Sequence, residues 1–370
     1  MTFPRRTLDE LLTRSTDPID DATFAVARDL LEQVRTGGEA ALRRVSESLG
    51  DLEPGQPLVI GKHELQAALA TLPKDTADLL DRTAARIRRF AEMQRAAVQD
   101  GQLQVDGGTI GHRWLPLESA GCYAPGGRYP LPSSVLMTAV TARVAGVRHV
   151  WVASPKPTAA TLAAAAIAEA DGVLAVGGAQ AMGALAYGIA SLIPACDVVV
   201  GPGNRFVTAA KSIIARTTRI DMLAGPSELV VVAGADANPV CVAADLIAQA
   251  EHDVDARAIL ISDDEPFANR VVAEIEAQLT ELPTATTAQA ALAHGGTLIV
   301  EDVDEAIACC RALAPEHLSL QGSPFESRAA AFDGGASVFV GEASAQVLGD
   351  YGVGPNHVLP TGCLLYTSDA

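Results

Sequence analysis

Residues 149–176 read HVWVASPKPTAATLAAAAIAEADGVLAV, and this stretch decides the fold. His149–Ser154 is an apolar run of strand length, ended by a Pro-Lys-Pro break. Thr158–Ala170 follows with helical character, and Val173–Val176 is a second apolar run. A helix between two nearly continuous apolar strands is the mark of a parallel crossover, because a strand covered on both faces has no wet side to alternate with. The same alternation continues on the C-terminal side. Ala179–Ala190 reads as a helix, Asp197–Val200 as a third strand and Arg205–Ala215 as a helix. A second set comprises strand Leu229–Ala233, helix Pro239–Glu251, strand Ala258–Ser262 and helix Pro266–Leu279. It is completed by a strand near Leu298–Glu301, helix Val303–Leu313 and strand Ser337–Val340. The expected class is therefore α/β, with two Rossmann-like parallel-sheet units.

An N-terminal helical region precedes them. Leu8, Leu11 and Leu12 begin one pattern. Phe24, Ala27, Leu30, Leu31 and Val34 form another, which Gly37-Gly38 is expected to end. Leu65–Leu72 and Ala77–Met93 supply two more, the last with Arg82, Arg86 and Arg89 on its wet side. Residues 103–118 carry Gly107-Gly108 between short alternating runs, which predicts a hairpin.

With 370 residues and 49% hydrophobic side chains, the chain is long enough and apolar enough for two cores. Its formal charge of −18, spread along the sequence, excludes the basic footprint on which nucleic-acid and anionic-membrane binding depend. Gly172–Cys196 has no charged residue, but Gly177-Gly178, Gln180, Gly183, Gly188 and Pro194 interrupt it, so a buried strand–turn–helix is expected rather than a span. The opening MTFPRRTLDE has no apolar core and does not read as a signal peptide. Cys122, Cys196, Cys241, Cys309, Cys310 and Cys363 show no framework spacing, which fits free thiols in a reducing cytoplasm.

In open parallel sheets ligands bind at the carboxyl ends of the strands, which directs attention to polar residues there. Tyr123-Ala-Pro-Gly126-Gly127, Gly177-Gly178-Ala-Gln180 and Gly201-Pro-Gly203-Asn204 are three such loops. Glycines there admit phosphates to backbone amides at helix N-termini, although none is GxGxxG and each alone is equally a tight turn. Gln249 and His252 lie three apart at the end of a helix, a spacing that fits half a zinc site or a histidine at the favourable pole of the helix. Adjacent Glu316 and His317 could share proton transfer or form a solvated pair. Asp350 and His357 add a carboxylate and an imidazole in a glycine-rich loop that should reach the same sheet edge.

From Asp221-Met-Leu-Ala-Gly-Pro-Ser227-Glu through Gln249-Ala-Glu-His252 the chain closely resembles histidinol dehydrogenase. The likeness runs from about residue 5 to 362, with Tyr-Ala-Pro-Gly-Gly, Val-Gly-Gly-Ala-Gln-Ala, Val-Gly-Pro-Gly-Asn, Pro-Glu-His-Leu and Asn-His-Val-Leu-Pro-Thr in the family's order. The resemblance implies oxidation of L-histidinol to L-histidine through an enzyme-held aldehyde, using NAD⁺ twice and Zn²⁺. By that pattern Gln249, His252 and Asp350 would be metal ligands. His317 would be the base for the alcohol, and Glu316 would activate water. Ser227 and His357, with Gln249, His252, His317 and Asp350, would contact substrate, and Tyr123, Gln180 and Asn204 the nucleotide. The resemblance also implies a homodimer and a division into four parts. These are an arm (1–20), a zinc-bearing domain (21–120 plus 227–362), an inserted nucleotide-side domain (121–226) and a tail (363–370).

Two departures stand out. Cys363-Leu-Leu-Tyr-Thr-Ser-Asp-Ala370 matches nothing expected of the family, whose chain continues into a helical tail that brings a zinc-binding His and a substrate-binding Glu to the partner subunit. The expectation is foreign sequence joined to a truncated member, inactive as it stands. Arg128-Tyr129-Pro130 occupies a variable place and keeps open a sister dehydrogenase acting on another small polar alcohol or diol. A zinc hydrolase would use the same His, Asp and Glu, but leaves the Tyr123, Gln180 and Asn204 loops without a purpose.

Overall fold

The expected apolar runs do form parallel strands, and they fall into two sheets in the computed structural model, which describes residues 3–13, 19–126, 130–190, 192–223, 225–350 and 352–359. The chain divides into two compact units, one of residues 19–223 with 349–358, the other built around residues 224–348 with the N-terminal arm. Within that arm, α1 (Leu8–Leu12) begins with a capping box in which Thr7 and Glu10 satisfy each other's backbone amides.

The first unit runs through α2 (Asp21–Ser48), β1 (Val59–Gly61), α3 (Lys62–Thr71), α4 (Lys74–Ala96) and the hairpin β2 (Gly101–Val105) and β3 (Gly108–His112). Then come β4 (Ser119–Tyr123), α5 (Pro132–Ala145), β5 (His149–Ala153), α6 (Ala159–Ile167) and β6 (Gly172–Leu174). It continues with α7 (Gly178–Tyr187), β7 (Val198–Val200), α8 (Arg205–Ile214) and β8 (Arg219–Ile220). Strand order is β1-β6-β5-β4-β7-β8, parallel except for β1, which pairs antiparallel with β6. Helices α2, α7 and α8 pack together on one face, and α3, α4, α5 and α6 on the other. Alanines permit this close approach: Ala163, Ala164, Ala165, Ala184, Ala209 and Ala210 are all fully buried.

Two expectations need correction here. Gly37-Gly38 does not end the helix, because Gly38 takes a left-handed backbone (φ 55°) that kinks α2, and Ala41, Leu42 and Val45 continue the buried face beyond it. Residues 21–120 do not join 227–362 either. They provide a strand and three covering helices for the first sheet, since β1 closes its edge and α2 and α4 bury faces that β4–β7 leave apolar.

The second unit contains β9 (Glu228–Ala233), α9 (Pro239–Ala250), β10 (Arg257–Ser262), α10 (Glu265–Leu279), α11 (Ala285–Leu292) and β11 (Gly296–Ile299). After these come α12 (Val303–Leu313), β12 (His317–Gln321), α13 (Ser323–Glu326) and β13 (Ser337–Val340), and α14 (Val347–Asp350) ends the run. The sheet order is β11-β10-β9-β12-β13, all parallel. Successive side chains of β9 serve opposite cores. Leu229, Val231 and Ala233 meet α9, α10 and α11, while Val230 and Val232 join Leu318, Leu320 and the α12 residues. The arm adds to the edge of this sheet, where Arg6 N–H donates to Thr297 O and Thr297 N–H to Pro4 O, both at 2.8 Å.

Candidate functional site

Neighbouring strands β9 and β12 start side by side, with His317 opposite Leu229. That register brings Ser227-Glu228 next to Glu316-His317. Glu316 Oε2 accepts from Ser227 Oγ at 2.7 Å and from the Glu228 N–H at 3.1 Å. The His317 ring meets the Glu228 carbonyl through Nδ1 at 3.2 Å, and Nδ1 lies 3.8 Å from Glu316 Oε2. Glu316 and His317 are both buried, and Phe339 packs tilted against the imidazole. With the Glu228 carbonyl able only to accept, Nδ1 carries the proton of the neutral ring and Nε2 the lone pair. A carboxyl fixed by two donors and an imidazole of fixed tautomer make a pair suited to proton transfer.

This cluster lies at the amino ends of β9 and β12, not at the carboxyl edge where the strand rule places ligands. Helix α9 runs antiparallel to the strands, so its C-terminal end carries Gln249 and His252 to the amino edge as well. The helix stops at Ala250, earlier than expected, yet His252 N–H still bonds Gln249 O at 3.3 Å, so the turn keeps the two in register. Gln249 is completely buried, and neither its Oε1 nor its Nε2 has a hydrogen-bond partner. Leaving such groups unpaired costs about 1–3 kcal/mol each, which a ligand would recover. An amide oxygen and an imidazole at the negative pole of a helix suit a nitrogen- and oxygen-binding cation, and in that respect the residues fit zinc. Among the described residues no three His, Cys, Asp or Glu side chains gather as a ready cage. Asp350 ends α14 in the stretch that returns to the first unit, and its side chain lies outside the description. His357 also belongs to that unit, where its neighbour Asn356 donates to Met137 O at 3.3 Å.

The first unit obeys the strand rule. Tyr123 ends β4 with its ring buried, and its hydroxyl accepts from Gly178 N–H at 3.1 Å. Burial pushes the phenol up and the Gly178 hydrogen bond opposes it, so Tyr123 stays protonated near neutrality. Gln180 is buried too. Its Nε2 donates to Asp51 Oδ2 at 3.0 Å, Gly177 N–H donates to the same oxygen at 3.0 Å, and Gln180 Oε1 has no partner. Asn204 caps α8, its Oδ1 accepting from Phe206 and Val207 N–H at 3.0 and 3.2 Å. Gly201 has φ 120°, and an added Cβ would stand 2.1 Å from Tyr123 O. Its carbonyl accepts from Lys211 Nζ at 3.0 Å, its N–H donates to Asp221 at 2.8 Å, and Lys211 pairs with Asp221.

Of the amides in the glycine loops and the helix starts they lead into, those of Gly177 and Gly178 are taken by Asp51 and Tyr123, and those of Phe206 and Val207 by Asn204. Asp51 and Lys211 escaped the sequence reading because their partners are distant along the chain or masked by an apolar run. Of the Gly126-Gly127 loop and its Arg128-Tyr129-Pro130 sequel, residues 127–129 lie outside the described residues. A cavity of about 740 Å³ opens elsewhere in this unit, between α4, α5 and Trp114–Leu117, with Asp221 and Asn356 on its wall.

A buried carboxyl–imidazole pair on one sheet and a tyrosine–amide edge on the other belong to a two-unit α/β protein equipped for proton transfer. The family model for histidinol dehydrogenase matches residues 12–368, including most of the segment expected to fall outside the family pattern. A histidinol dehydrogenase of Haloarcula marismortui is 43% identical over 347 residues, which are 92% of this chain and 81% of the relative. One from Thermus thermophilus is 44% identical over 345 residues, again 92% of this chain and 82% of its own length. The crystal structure of histidinol dehydrogenase from Elizabethkingia anophelis superposes with a TM-score of 0.90 at 30% identity, covering 98% of this chain and 85% of that one. The chain belongs to the histidinol dehydrogenase family.

Proposed function

We propose that this protein oxidises L-histidinol to L-histidine through histidinal, the last step of histidine biosynthesis, with Glu316 and His317 as the proton-transfer groups. The overall conversion takes up one water and two NAD⁺ and yields two NADH and three protons. The observation that carries the reading is the hydrogen-bonded set Ser227–Glu316–Glu228–His317. His317 Nε2 accepts the alcohol proton, while the Glu228 carbonyl holds Nδ1–H and steadies the imidazolium. Glu316, held through Oε2, takes a proton from the water that attacks the aldehyde carbon. Ser227 sets the direction of that carboxyl and lines the substrate site with His357.

Gln249, His252 and Asp350 would hold a zinc ion, which when bound supplies a fixed positive centre for the substrate's nitrogen donors. The unpartnered amide of Gln249 supports this assignment. Tyr123, Gln180 and Asn204 would contact the dinucleotide, supported by the buried, unpartnered Gln180 Oε1. A homodimer whose site the partner's C-terminal tail completes is supported by apolar side chains left exposed on and after the hairpin, Leu103, Ile110, Trp114 and Leu115. A cytoplasmic location is supported by the five described cysteines, all free thiols; no helix of the described residues is long and apolar enough to cross a membrane.

The decisive experiment measures NADH formation on addition of L-histidinol, with zinc and with a chelator, for the wild type and His317→Asn. Turnover should require zinc, and His317→Asn should slow it by about two to four decades. NADH from another polar alcohol but none from histidinol would overturn the substrate, and an unchanged His317→Asn rate would overturn the base.

A further inference from the structure

We propose that Arg257 and Glu228 are positioning residues for the Glu316–His317 pair and tie it to the N-terminal arm. This rests on the reading of that pair as the proton-transfer groups. Glu228 is the common support: its N–H donates to Glu316 Oε2 at 3.1 Å and its C=O accepts from His317 Nδ1 at 3.2 Å. Any rotation of this one residue therefore misplaces both groups. Its own side chain is buried, and a carboxylate there needs a compensating charge.

Arg257 supplies that charge. It stands directly opposite Glu228 on β10, and its Nη1 reaches Glu228 Oε2 at 3.3 Å. Its backbone N–H donates to Ser227 O at 3.0 Å, so both main chain and side chain hold the Ser227-Glu228 step. The other arm of the guanidinium, Nη2, donates to Leu11 O at 2.6 Å, near the end of α1. A continuous line of bonds thus leads from the arm through Arg257 and Glu228 to both functional side chains. A planar fork can serve a carboxylate and a carbonyl at once in fixed geometry, whereas an ammonium on a flexible stem cannot hold that shape. Neither residue touches the reacting atoms in this scheme. Their effect is to fix which imidazole nitrogen carries the lone pair and where Glu316 Oε2 sits.

The test compares wild type, Arg257→Lys and Arg257→Met in the zinc-loaded dimer. Steady-state kinetics are read alongside ¹⁵N–¹H correlation of the His317 ring, assigned with His317→Asn. The wild type should show a single Nδ1–H tautomer. Arg257→Met should lower kcat at least tenfold with the NAD⁺ KM unchanged and give mixed tautomers, Arg257→Lys should fall between, and added guanidinium should restore part of the lost rate. A folded Arg257→Met enzyme with wild-type kcat and an unmixed tautomer would overturn the proposal. If circular dichroism shows that variant to be unfolded, Glu228→Gln decides by the same two readouts. A fully active His317→Asn enzyme would instead sink the proton-transfer reading, and the tautomer measurement would still report on the support.

Discussion

At the carboxyl edge of the first sheet the loops carry Tyr123, Gln180 and Asn204, whereas at the same edge of the second they carry Asp236, Asp263 and Asp264. The second sheet's helices begin with their own caps there, Asn238 on α9 and Asp264 on α10, and Asp236 accepts from Ser323 N–H at 2.9 Å. That edge is acidic and self-satisfied. The second unit gathers its chemistry at the opposite end, where α9 finishes and β9 and β12 begin. The difference follows from polarity. Helix N-termini cluster at the carboxyl edge and favour anions, whereas helix C-termini cluster at the amino edge and favour cations. A metal ion and a substrate amine suit the second situation, and a nucleotide the first.

This contrast predicts that changes at the amino edge act on turnover and changes at the first sheet's carboxyl edge act on nucleotide affinity. Glu316→Gln should cost most, lowering the rate of histidine formation by about two to four decades with the NAD⁺ KM nearly constant. A large rise in that KM would break the separation. Gly201→Ala forces a side chain into a left-handed backbone against Tyr123 O and should remove about 3 kcal/mol of stability, read as a lower melting temperature. Wild-type stability would mean the Tyr123 edge is not rigid.

Asp245, buried on α9, tests the acidic character of the second unit. Burial raises its carboxyl from 3.8 to about 6, against the pull of its Gln321 hydrogen bond. The folded chain then keeps this proton to higher pH than the unfolded chain, so stability falls as the pH climbs from about 4 to about 6 and stays reduced above it. Asp245→Asn should leave the melting temperature unchanged at pH 4 and raise it at pH 8, by up to about 3 kcal/mol in stability. A variant less stable at pH 8 would refute this. The smallest effect belongs to Asp51→Ala, which frees Gly177 N–H and Gln180 Nε2. It should raise the NAD⁺ KM by about tenfold with kcat within about twofold, as expected for roughly 1.4 kcal/mol of lost positioning.

Much of this molecule was legible in its apolar runs. Seven strands and most crossover helices fall within a few residues of their expected places, because buried parallel strands are mostly apolar. Three kinds of element were not readable. Strand β4, Ser-Ala-Gly-Cys-Tyr, is central but lacks large β-branched residues. Helix α5 is buried along most of its length and shows no amphipathic period. Strand β1 is three residues long and owes its existence to β6. In the candidate site the adjacent Glu316-His317 and the Gln249/His252 spacing were visible locally. Glu228, Arg257 and Asp51 were not, since each matters through a partner set by folding. The choice of edge was misjudged because the strand rule follows the anions that helix N-termini attract, whereas Glu316 and His317 lie at the amino edge, where helix C-termini gather.

The antiparallel pairing of β1 with β6 has a consequence for dissection of the gene. A segment cut at 121–226 would contain most of a run of alternating strands and helices, yet it would lack β1, the first two residues of β4 and the α2 and α4 covers. It would leave β6 with a bare row of amides and carbonyls, open to pairing with another copy. The first unit is therefore not a portable cassette: on the ribosome its first hundred residues must wait for the last strands of their own sheet, and grafts that omit them should aggregate.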